Sequence, residues 1–360
     1  MPEAGLRVVI AGGGTGGHLF PGIAVAQEFQ QSHDVQVTFL TTPKAVTAQI
    51  LERYGIKWEP IASRPLHGKG IFGRLRTLLG LPGAVFGAQA RLLELKPHLV
   101  LGMGGYASGP VGVAAYRLGI LLAIHEQNAI PGTANRWLAR LAARIFLSFP
   151  DQDNFFPRER SRWTGNPIRA EFFAPAAAPR PDSPFTVLIM GGSQGAHHLN
   201  MAALEALPWL EDLAPKLHFF HITGEADKAE VEAGYQKAGF AAEVVAFTPE
   251  VAVWMARSHL LVCRAGASTL AELTALGRAA LLVPYPFAAN NHQEANARFL
   301  AGAGAAEIVL NKDFTGPLLA DKIRQISGDP RTLASMEAAS RALAKPAAAQ
   351  EIVQGCLELM

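Results

Sequence analysis

One arrangement occurs twice in this chain of 360 residues: an apolar run, a glycine-rich loop and then a helical pattern. The first copy is Leu6–Ala11 followed by the loop at residues 12–18, and the second is Phe185–Met190 followed by the loop at residues 191–196. Such apolar, β-branched runs are typical of strands buried on both faces of a parallel sheet. Gly13 of the first loop and Gly191 of the second loop are 178 residues apart, close to half of the chain. The repeat predicts an α/β protein of two doubly wound domains in tandem.

A proline-rich segment separates the two copies. Residues 174–184 contain four prolines, a composition typical of a linker or of a stiff surface connection. We therefore expect the first domain to span residues 1–168 and the second domain to begin at about residue 169. The length of the chain is sufficient for two domains, each with its own core.

Charge and cysteine content exclude several classes of protein. Lysine and arginine total 32 and aspartate and glutamate total 30, so the formal charge of +2 is too small to recruit nucleic acid. Charged residues make up 17% of the chain, which indicates a lightly charged globular protein. The two cysteines, Cys263 and Cys356, do not form a disulfide framework, and the chain starts with polar residues. We therefore expect a reducing, cytoplasmic compartment.

The candidate for a membrane-spanning helix is the longest uncharged stretch of interest, residues 99–116. Its length approaches the roughly 20 residues that a spanning helix needs. However, its glycines and Pro110 would leave backbone groups unpaired in lipid, and we interpret residues 102–110 as a loop between two elements. Any contact with a membrane is therefore expected to be peripheral.

The first glycine loop matches two known phosphate-binding patterns only in part. Gly12, Gly14 and Gly17 fit the dinucleotide fingerprint, but the second strand ends at residues 41–43 in Thr-Thr-Pro, where that fingerprint requires an acid. A P-loop is excluded because His18 stands where lysine is required. These mismatches argue against an NAD-dependent oxidoreductase and against a P-loop nucleotidase.

Glycine loops of this kind still favour an anion, because their main-chain amides and the following helix dipole attract negative charge. Three of them follow predicted parallel strands, at residues 12–18, 102–110 and 191–196. Ligands of α/β sheets bind at the carboxyl ends of the strands. The three loops together therefore predict chemistry on a diphosphate.

Seven motifs in order carry a resemblance to a known family. They lie at residues 13–18, 104–110, 125–128, 165–169, 191–196, 263–272 and 291–296. With these motifs the chain resembles the MurG family of peptidoglycan N-acetylglucosaminyltransferases, which have the GT-B architecture of two Rossmann-like domains separated by a cleft. The resemblance implies that residues 169–344 bind UDP-GlcNAc. It also implies that residues 1–168, joined by a last helix at about 345–360, bind the acceptor and associate with the membrane.

The reaction that this resemblance implies is the inverting transfer of GlcNAc from UDP-GlcNAc to the MurNAc C4 hydroxyl of undecaprenyl-diphosphate-MurNAc-pentapeptide, lipid I. The products are lipid II, with a β-1,4 linkage, and UDP. This step belongs to peptidoglycan synthesis and so to cell-wall biogenesis, cell shape and cell division. Two alternatives stay open: a GT-B transferase acting on another lipid acceptor, and a non-catalytic binder of nucleotide-sugars.

The resemblance also assigns residues to the two substrates. Those implied to bind the donor are Thr15, Gly16, Gly17, Asn128, Arg169, Ser193, Thr248, Ala267, Ser268, Thr269, Leu270, Ala271, Glu272 and Gln293. Those implied to bind the acceptor are Gly104, Gly105, Tyr106, Ser108 and His125.

Within the donor set, Ser193 and Arg169 are implied to contact the diphosphate, and Glu272 the ribose hydroxyls. The backbone of Thr248 would read the uracil, and Gln293 would contact the sugar hydroxyls. The chain departs from related transferases just before that glutamine, because an asparagine at position 291 replaces a common aspartate.

Inverting transfer needs a base for the attacking hydroxyl, and His18 is the candidate. At the start of a helix the positive dipole end disfavours an imidazolium, so that His18 stays neutral and able to accept a proton. A role in binding the acceptor or its own loop is the alternative for His18, and Glu126 is the alternative base.

The departing diphosphate can be stabilised by loop amides, the helix dipole and arginine, so we expect no cofactor and no tightly bound metal. A rival signal is Asp151-Gln-Asp153, a triplet that chelates divalent cations in other transferases. Its simpler interpretation is a polar turn.

A basic and apolar segment predicts contact with a membrane. Residues 62–93 contain no acidic side chain, and arginines alternate there with apolar side chains. The residues that we expect to contact an anionic surface are Ile71, Phe72, Arg74, Leu75, Arg76, Leu78 and Leu79. Arginines at 136, 140 and 144 add a stripe at helical spacing. The alternative is an ordinary solvated helix face.

A lipid-linked acceptor favours docking, and the expected location is the cytoplasmic face of the inner cell membrane. The expected partners are UDP-GlcNAc, lipid I, the anionic membrane surface and other cell-wall synthesis proteins, but no nucleic acid.

Overall fold

A computed structural model of the chain describes residues 5–13, 16–32, 35–43, 45–61, 71–173, 180, 182–192 and 195–360, with the side chains of residues 32 and 71–79 not described. Two compact units are present: Met1–Arg169 with Lys345–Met360, and Ala170–Ala344. Each unit contains one parallel sheet flanked by helices, which confirms the predicted α/β fold with two Rossmann-like domains.

The sheet of the first unit has, among the described residues, seven parallel strands in the order β3-β2-β1-β4-β5-β6-β7. They are β1 (Leu6–Ala11), β2 (Val35–Thr41), β3 (Lys57–Pro60), β4 (Leu99–Gly102), β5 (Leu121–Glu126), β6 (Arg144–Leu147) and β7 (Ser161–Trp163). The central strand β1 is buried on both faces, with Val9 1% and Ile10 0% exposed, as its apolar composition predicts. The strand order reverses between β1 and β4, and at such a point the carboxyl ends of the strands form a crevice for ligands.

The helices of the first unit include one from the end of the chain. They are α1 (Gly16–Ser32), α2 (Ala45–Arg53), α3 (Ile71–Leu95), α4 (Gly105–Arg117), α5 (Thr133–Leu138) and α13 (Ala348–Leu357). The buried face of α13 joins the core through Ile352, Val353 and Cys356, in the same apolar cluster as Ile23 and Phe29 of α1. Burial raises the pKa of the Cys356 thiol, so this cysteine is a packing residue.

The sheet of the second unit has, in the part of the chain that the structure describes, six parallel strands in the order β10-β9-β8-β11-β12-β13. They are β8 (Phe185–Met190), β9 (Leu217–Ile222), β10 (Ala241–Val245), β11 (Leu260–Cys263), β12 (Ala279–Leu282) and β13 (Ala306–Ile308). Cys263 in β11 is fully buried, and burial raises the pKa of its thiol to about 12, which confirms its prediction as a buried strand residue.

The helices of the second unit cover both faces of this sheet. They are α6 (His197–Ala206), α7 (Lys228–Ala238), α8 (Val251–Arg257), α9 (Ala267–Leu276), α10 (His292–Gly302), α11 (Gly316–Gly328) and α12 (Pro330–Ala342). Helices α6 and α11 share one apolar cluster with β8, in which Leu199 and Ile323 are fully buried.

The predicted loop at residues 102–110 is wrong in its extent. Helix α4 already begins at Gly105 and includes Pro110, so only Met103 and Gly104 connect it to β4. The physical reason is burial: Ala107 and Val111 pack into the core of the first unit, and this packing overrides the low helix propensity of the glycines and of the proline. Within the described residues, helices with the length and hydropathy of a membrane span do not occur.

Candidate active site

His18 lies at the crevice of the first sheet, as the third residue of α1. Its ring Nδ1 is 3.0 Å from Oε1 of Gln127, which follows β5 directly. The backbone at Gly104 and Gly105 covers this contact. A Cβ built on Gly104 would lie 3.0 Å from His18 Nδ1 and 3.2 Å from Gln127 Oε1. The candidate base and the second glycine loop are therefore in direct contact.

The two glycines are required by conformation as well as by space. Gly104 has φ 79° and Gly105 has φ 76°, values in the left-handed region that favours glycine. A Cβ on Gly105 would also come within 2.5 Å of the backbone oxygen of Gly13. The first and second glycine loops thus touch through their backbones, and side chains at these positions would push them apart.

A buried chain of hydrogen bonds continues behind His18. The amide nitrogen of Gln127 donates to the backbone oxygen of Met103 at 2.9 Å and lies 2.9 Å from Nδ1 of His125. The other ring nitrogen of His125, Nε2, lies 3.2 Å from the backbone oxygen of Gly165. Burial lowers the pKa of His125 to about 4, with the Gly165 hydrogen bond opposing this and the nearby His18 adding to it. His125 is therefore neutral at physiological pH.

For two predicted acceptor residues, His125 and Ser108, this geometry favours a supporting role of the side chain. His125 is 0% exposed and both of its ring nitrogens have partners within the first unit, so its side chain supports the site from behind. Ser108 is also 0% exposed, and its hydroxyl donates to the backbone oxygen of Gly105 at 3.1 Å. Of the predicted acceptor residues, Tyr106 is 37% exposed on the first turn of α4.

The carboxylate of Glu126 holds the loop that follows β5. Its Oε1 accepts from the backbone N–H of Asn128 at 3.0 Å and from the side-chain amide of Asn128 at 3.3 Å. Its Oε2 accepts from the backbone N–H of Gly132 at 3.0 Å and from Nδ2 of Asn135 at 2.9 Å. The side chain is 2% exposed. Because four donors occupy both oxygens, this geometry favours a structural role for Glu126 over the predicted role of alternative base.

Other predicted donor residues lie on or against helix α1 of the first unit. Gly16 and Gly17 open helix α1 and are exposed, whereas Thr15 lies outside the described residues. The guanidinium of Arg169 stacks 4.6 Å from the centroid of the Phe20 ring, also in α1. Arg169 therefore belongs structurally to the first unit.

The second unit presents its own glycine loop between β8 and α6. Gly195 has φ 76°, and a Cβ there would run into the backbone oxygen of Thr223, so this position requires glycine. Helix α6 begins at His197, directly after the loop, with its N-terminal dipole end at the carboxyl edge of the sheet. Ser193, the predicted diphosphate contact, lies outside the described residues.

The remaining predicted donor residues lie on several elements of the second unit. The first six residues of α9 are Ala267, Ser268, Thr269, Leu270, Ala271 and Glu272. Leu270 is 1% and Glu272 is 8% exposed, whereas the serine, the threonine and Ala271 are partly exposed. The Gln293 side-chain oxygen accepts from the backbone N–H of Tyr285 at 2.9 Å, and the Thr248 hydroxyl accepts from the N–H of Glu250 at 3.0 Å.

The asparagine at position 291, which replaces the aspartate common in related transferases, has a local structural role. Asn291 has φ 55°, and its side-chain amide donates to Glu294 at 2.6 Å. The neighbouring His292 donates through Nδ1 to the backbone oxygen of Ala289 at 2.7 Å. Asn291 thus fixes the start of α10, the helix that carries Gln293.

A polar network at the start of α6 was missed at the level of sequence. His197 Nδ1 lies 2.9 Å from Asp227 Oδ1, and Asn200 donates to the other oxygen of Asp227 at 2.7 Å. The side-chain oxygen of Asn200 lies 3.0 Å from His221, whose pKa burial lowers to about 3. The sequence signal for this network is a polar residue, Asn200, on the otherwise apolar face of α6. Asn200 is fully buried there, and a buried asparagine needs hydrogen-bond partners.

The structure favours the polar-turn interpretation of Asp151. Its two carboxylate oxygens accept from the backbone N–H groups of Phe155 at 3.0 Å and of Phe156 at 2.8 Å. No cluster of three or more His, Cys, Asp or Glu side chains with the arrangement of a metal site occurs in the described part of the chain.

The predicted arginine stripe is wrong as a helix face. Helix α5 ends at Leu138, so Arg140 lies in the following turn and Arg144 begins β6. Arg136 stacks on the ring of Phe155 at 4.5 Å from its centroid, whereas Arg144 lies 3.4 Å from Glu358. The predicted membrane residues 71–79 form the start of α3, and their side chains lie outside the described residues.

Comparison with known proteins decides the family. Residues 8–147 match the glycosyltransferase family 28 N-terminal domain and residues 186–352 match the glycosyltransferase family 28 C-terminal domain. A protein of Syntrophus aciditrophicus named UDP-N-acetylglucosamine--N-acetylmuramyl-(pentapeptide) pyrophosphoryl-undecaprenol N-acetylglucosamine transferase is 42% identical over 99% of both chains. A protein of Citrifermentans bemidjiense with the same name is 44% identical over 97% of this chain and 98% of its own. The crystal structure of Acinetobacter baumannii MurG superposes with a TM-score of 0.81 and 33% identity, covering 98% of this chain and 99% of that one.

The chain belongs to the MurG family. It is a hexosyltransferase of glycosyltransferase family 28, and its two parallel-sheet units have the GT-B architecture of MurG. The family 28 N-terminal domain, which spans the incomplete dinucleotide fingerprint in residues 12–17, agrees with the sequence argument against an NAD-dependent oxidoreductase.

Proposed function

We propose that the protein transfers N-acetylglucosamine from UDP-GlcNAc to the MurNAc C4 hydroxyl of undecaprenyl-diphosphate-MurNAc-pentapeptide, giving lipid II and UDP. The observation that carries this function is the full-length similarity, at 42% and 44% identity, to two enzymes named for this transfer. The decisive experiment incubates the purified protein with labelled UDP-GlcNAc and a lipid I analogue. Labelled lipid II is the expected product. Transfer to a diacylglycerol instead, or binding of the nucleotide-sugar without any product, would support one of the alternative functions.

We propose His18 as the base that removes the proton of the attacking hydroxyl. The oxygen then bonds to C1 of the donor sugar, the bond from C1 to the diphosphate breaks, and UDP leaves with the electron pair, which inverts the configuration. The position of His18 at the N-terminal end of α1 supports this role, because the helix dipole disfavours the imidazolium. Both carboxylate oxygens of the alternative base, Glu126, accept hydrogen bonds from the following loop and from Asn135 of α5.

The test of the base is His18→Ala. We expect turnover to fall by about 10²–10⁴-fold, the usual contribution of general base catalysis, while the affinity for UDP stays near that of the wild type. Near-normal turnover would exclude His18 as the base and leave it as a contact of the acceptor or of its own loop.

The donor is proposed to bind at the carboxyl edge of the second sheet. The amides of the 191–196 loop and the N-terminal end of α6 would receive the diphosphate together with Ser193 and Arg169. Glu272 would accept from the ribose hydroxyls, and its burial beside the partly exposed face of α9 suits a rigid contact of this kind. Gln293 and Asn128 would contact the sugar, and Thr248 the uracil through its backbone.

This arrangement provides amide and arginine stabilisation for the leaving group, so we propose that transfer needs no metal and no cofactor. The polar turn at Asp151 supports the same view, because both of its carboxylate oxygens accept backbone N–H groups. Full activity in excess chelator is the expected result, and loss of activity that Mg²⁺ or Mn²⁺ restores would contradict it.

We propose that the first unit docks on the cytoplasmic face of the cell membrane, where its lipid-linked acceptor is held. Exposed aromatic side chains on this unit support the proposal: Phe86 is 61%, Tyr116 57% and Trp137 64% exposed. Arginines accompany them, because Arg117 lies over the Phe86 ring at 5.8 Å and Arg140 over the Trp137 ring at 4.8 Å. Aromatic and basic side chains together suit an anionic interface.

Vesicles with and without anionic lipid test the docking. Binding that requires anionic lipid and weakens with salt is expected, and the variants Trp137→Ala and Arg74→Ala with Arg76→Ala should reduce use of the lipid-linked acceptor but not of a soluble analogue. Indifference to anionic vesicles at low salt would refute it. The product, lipid II, ties the enzyme to peptidoglycan synthesis, and through it to cell shape, to cell division and to other cell-wall synthesis proteins.

A further inference from the structure

In the hydrogen bonds behind His18, the chemistry of each group determines which atom donates and which atom accepts. The chain runs from the backbone oxygen of Gly165 through His125 and Gln127 to His18, with donor–acceptor distances of 3.2, 2.9 and 3.0 Å. His125 is 0% and Gln127 is 1% exposed, so water does not compete for their hydrogen bonds. Their protein partners therefore determine which of their atoms donate and which accept.

The starting point is a group that can only accept. The carbonyl oxygen of Gly165 accepts, so Nε2 of His125 carries the hydrogen, and the hydroxyl oxygen of Ser148, 3.3 Å away, is a second neighbour of that nitrogen. Because burial lowers the pKa of His125 to about 4, the ring is neutral and its Nδ1 holds a lone pair. That lone pair accepts from the side-chain amide of Gln127.

A second fixed acceptor sets the orientation of Gln127. Its amide nitrogen also donates to the backbone oxygen of Met103 at 2.9 Å, so two acceptors face the NH₂ group. The carbonyl oxygen of Gln127 must then be the atom at 3.0 Å from Nδ1 of His18. An amide oxygen only accepts, so Nδ1 of His18 carries a hydrogen. A neutral His18 in this position has its lone pair on Nε2.

We propose that Gln127, oriented by His125, is a positioning residue that holds His18 in the Nδ1–H tautomer and thereby makes Nε2 the proton acceptor of the transfer reaction. This inference rests on the proposed role of His18 as the base. A neutral amide suits the task, because a carboxylate at the same place would favour the imidazolium, which cannot accept a proton. Gly104 completes the arrangement, since a Cβ there would lie 3.0 Å from His18 Nδ1 and 3.2 Å from Gln127 Oε1.

The wild-type protein gives the first test. The chain has 11 histidines, and ¹⁵N labelling of all of them, with His18 identified by its loss in His18→Ala, reports the protonated nitrogen of each ring. The expected spectrum has His18 Nδ1 in the pyrrole-type range and Nε2 in the pyridine-type range. The opposite pattern would overturn the proposal without any variant of Gln127 having to fold.

The variant Gln127→Met removes the amide at similar volume. It should move His18 toward the Nε2–H tautomer and lower kcat by about 10²–10⁴-fold, the range of general base catalysis, while KM for UDP-GlcNAc changes by less than about twofold. Gln152→Met, the same substitution at an exposed glutamine of the first unit, is the matched control and should leave both unchanged.

A double-mutant cycle separates positioning from general damage. If Gln127 acts through His18, adding Gln127→Met to His18→Ala should lower kcat by less than about twofold further. A full additional loss, or an unchanged His18 spectrum in Gln127→Met, would overturn the proposal. Failure of the base hypothesis is distinguishable, because His18→Ala would then keep its turnover whatever tautomer the wild-type spectrum shows.

Discussion

Replacing Glu126 by glutamine separates a structural role from a catalytic one for this buried carboxylate. The change keeps the shape of the side chain and removes its charge. In the wild type, Oε1 accepts two N–H groups of Asn128, and Oε2 accepts the N–H of Gly132 and the amide of Asn135, all between 2.9 and 3.3 Å. In Glu126→Gln one of these oxygens becomes an NH₂ group, and two donors then face a donor whichever way the amide turns.

The expected loss follows from these contacts. A hydrogen bond to a charged group contributes about 1.5–3 kcal/mol, so two lost bonds amount to roughly 3–6 kcal/mol. Removing a charge from a site that is 2% exposed offsets part of this, because a buried carboxylate is costly to desolvate. We therefore expect the free energy of unfolding of the first unit to fall by about 3 kcal/mol, a large part of the 5–15 kcal/mol typical of a domain.

Urea unfolding and amide exchange measure the effect. The amides of Asn128 and Gly132 should lose protection in Glu126→Gln, because both donate to the carboxylate in the wild type. Glu94→Gln is the control, since Glu94 is 63% exposed and pairs with Arg91 on the same helix, and it should change stability by less than about 0.5 kcal/mol. A Glu126→Gln protein with wild-type stability but turnover reduced about 10³-fold would refute this reasoning and make the carboxylate a base.

Three further predictions concern other parts of the fold. Gly105→Ala should reduce turnover about 10-fold or more, because φ 76° and a Cβ at 2.5 Å from the backbone oxygen of Gly13 would displace the glycine loops. In contrast, a Cβ at Gly109 would meet no described atom within 4 Å beyond its chain neighbours and its own helix backbone, so Gly109→Ala should raise helix stability by about 0.5–1 kcal/mol in thermal unfolding. Burial lowers the pKa of His125 to about 4 and that of His221 to about 3, so below pH 6.5 the unfolded chain binds protons that these neutral rings do not. Each ring should therefore lower the free energy of unfolding by about 1.4 kcal/mol per pH unit between pH 6.5 and 4 and contribute no pH dependence above pH 7. Urea unfolding at each pH measures this, and a flat profile would contradict their burial. Asp151→Ala removes two hydrogen bonds and should lower the melting temperature, measured by calorimetry, by a few degrees. The same variant should keep wild-type activity in the lipid II assay when a chelator is present.

The parts of the fold that sequence predicted are those set by local patterns. Apolar β-branched runs such as Leu6–Ala11 and Phe185–Met190 became the central strands of the two sheets, because a parallel strand covered on both faces buries every side chain of such a run. Gly195 is likewise readable in advance, since a glycine in a tight turn after a strand indicates a close backbone approach, here to the oxygen of Thr223.

Tertiary packing decided what local patterns could not. The spacing of the arginines at 136, 140 and 144 fits a helix, but α5 ends at Leu138 and the last arginine begins a strand. In the same way, the glycines after β4 favour a loop, yet burial of Ala107 and Val111 draws them into α4. The contact between His18 and Gln127 joins residues 109 positions apart, and no periodicity in a single sequence reports it.

In the motif at residues 125–128, successive side chains point to opposite sides of the chain, as they do in a β-strand. His125 ends up on the same side of the chain as Gln127, two residues further on, and together they lie behind His18. Glu126, on the other side, accepts the N–H groups of Asn128 and of the loop beyond it. One short run of polar residues therefore supports two neighbouring parts of the site, the ring of the base and the loop that carries Asn128. Substitutions at 125 and 127 should consequently change the chemistry of His18, whereas substitutions at 126 should first change the stability and order of the loop.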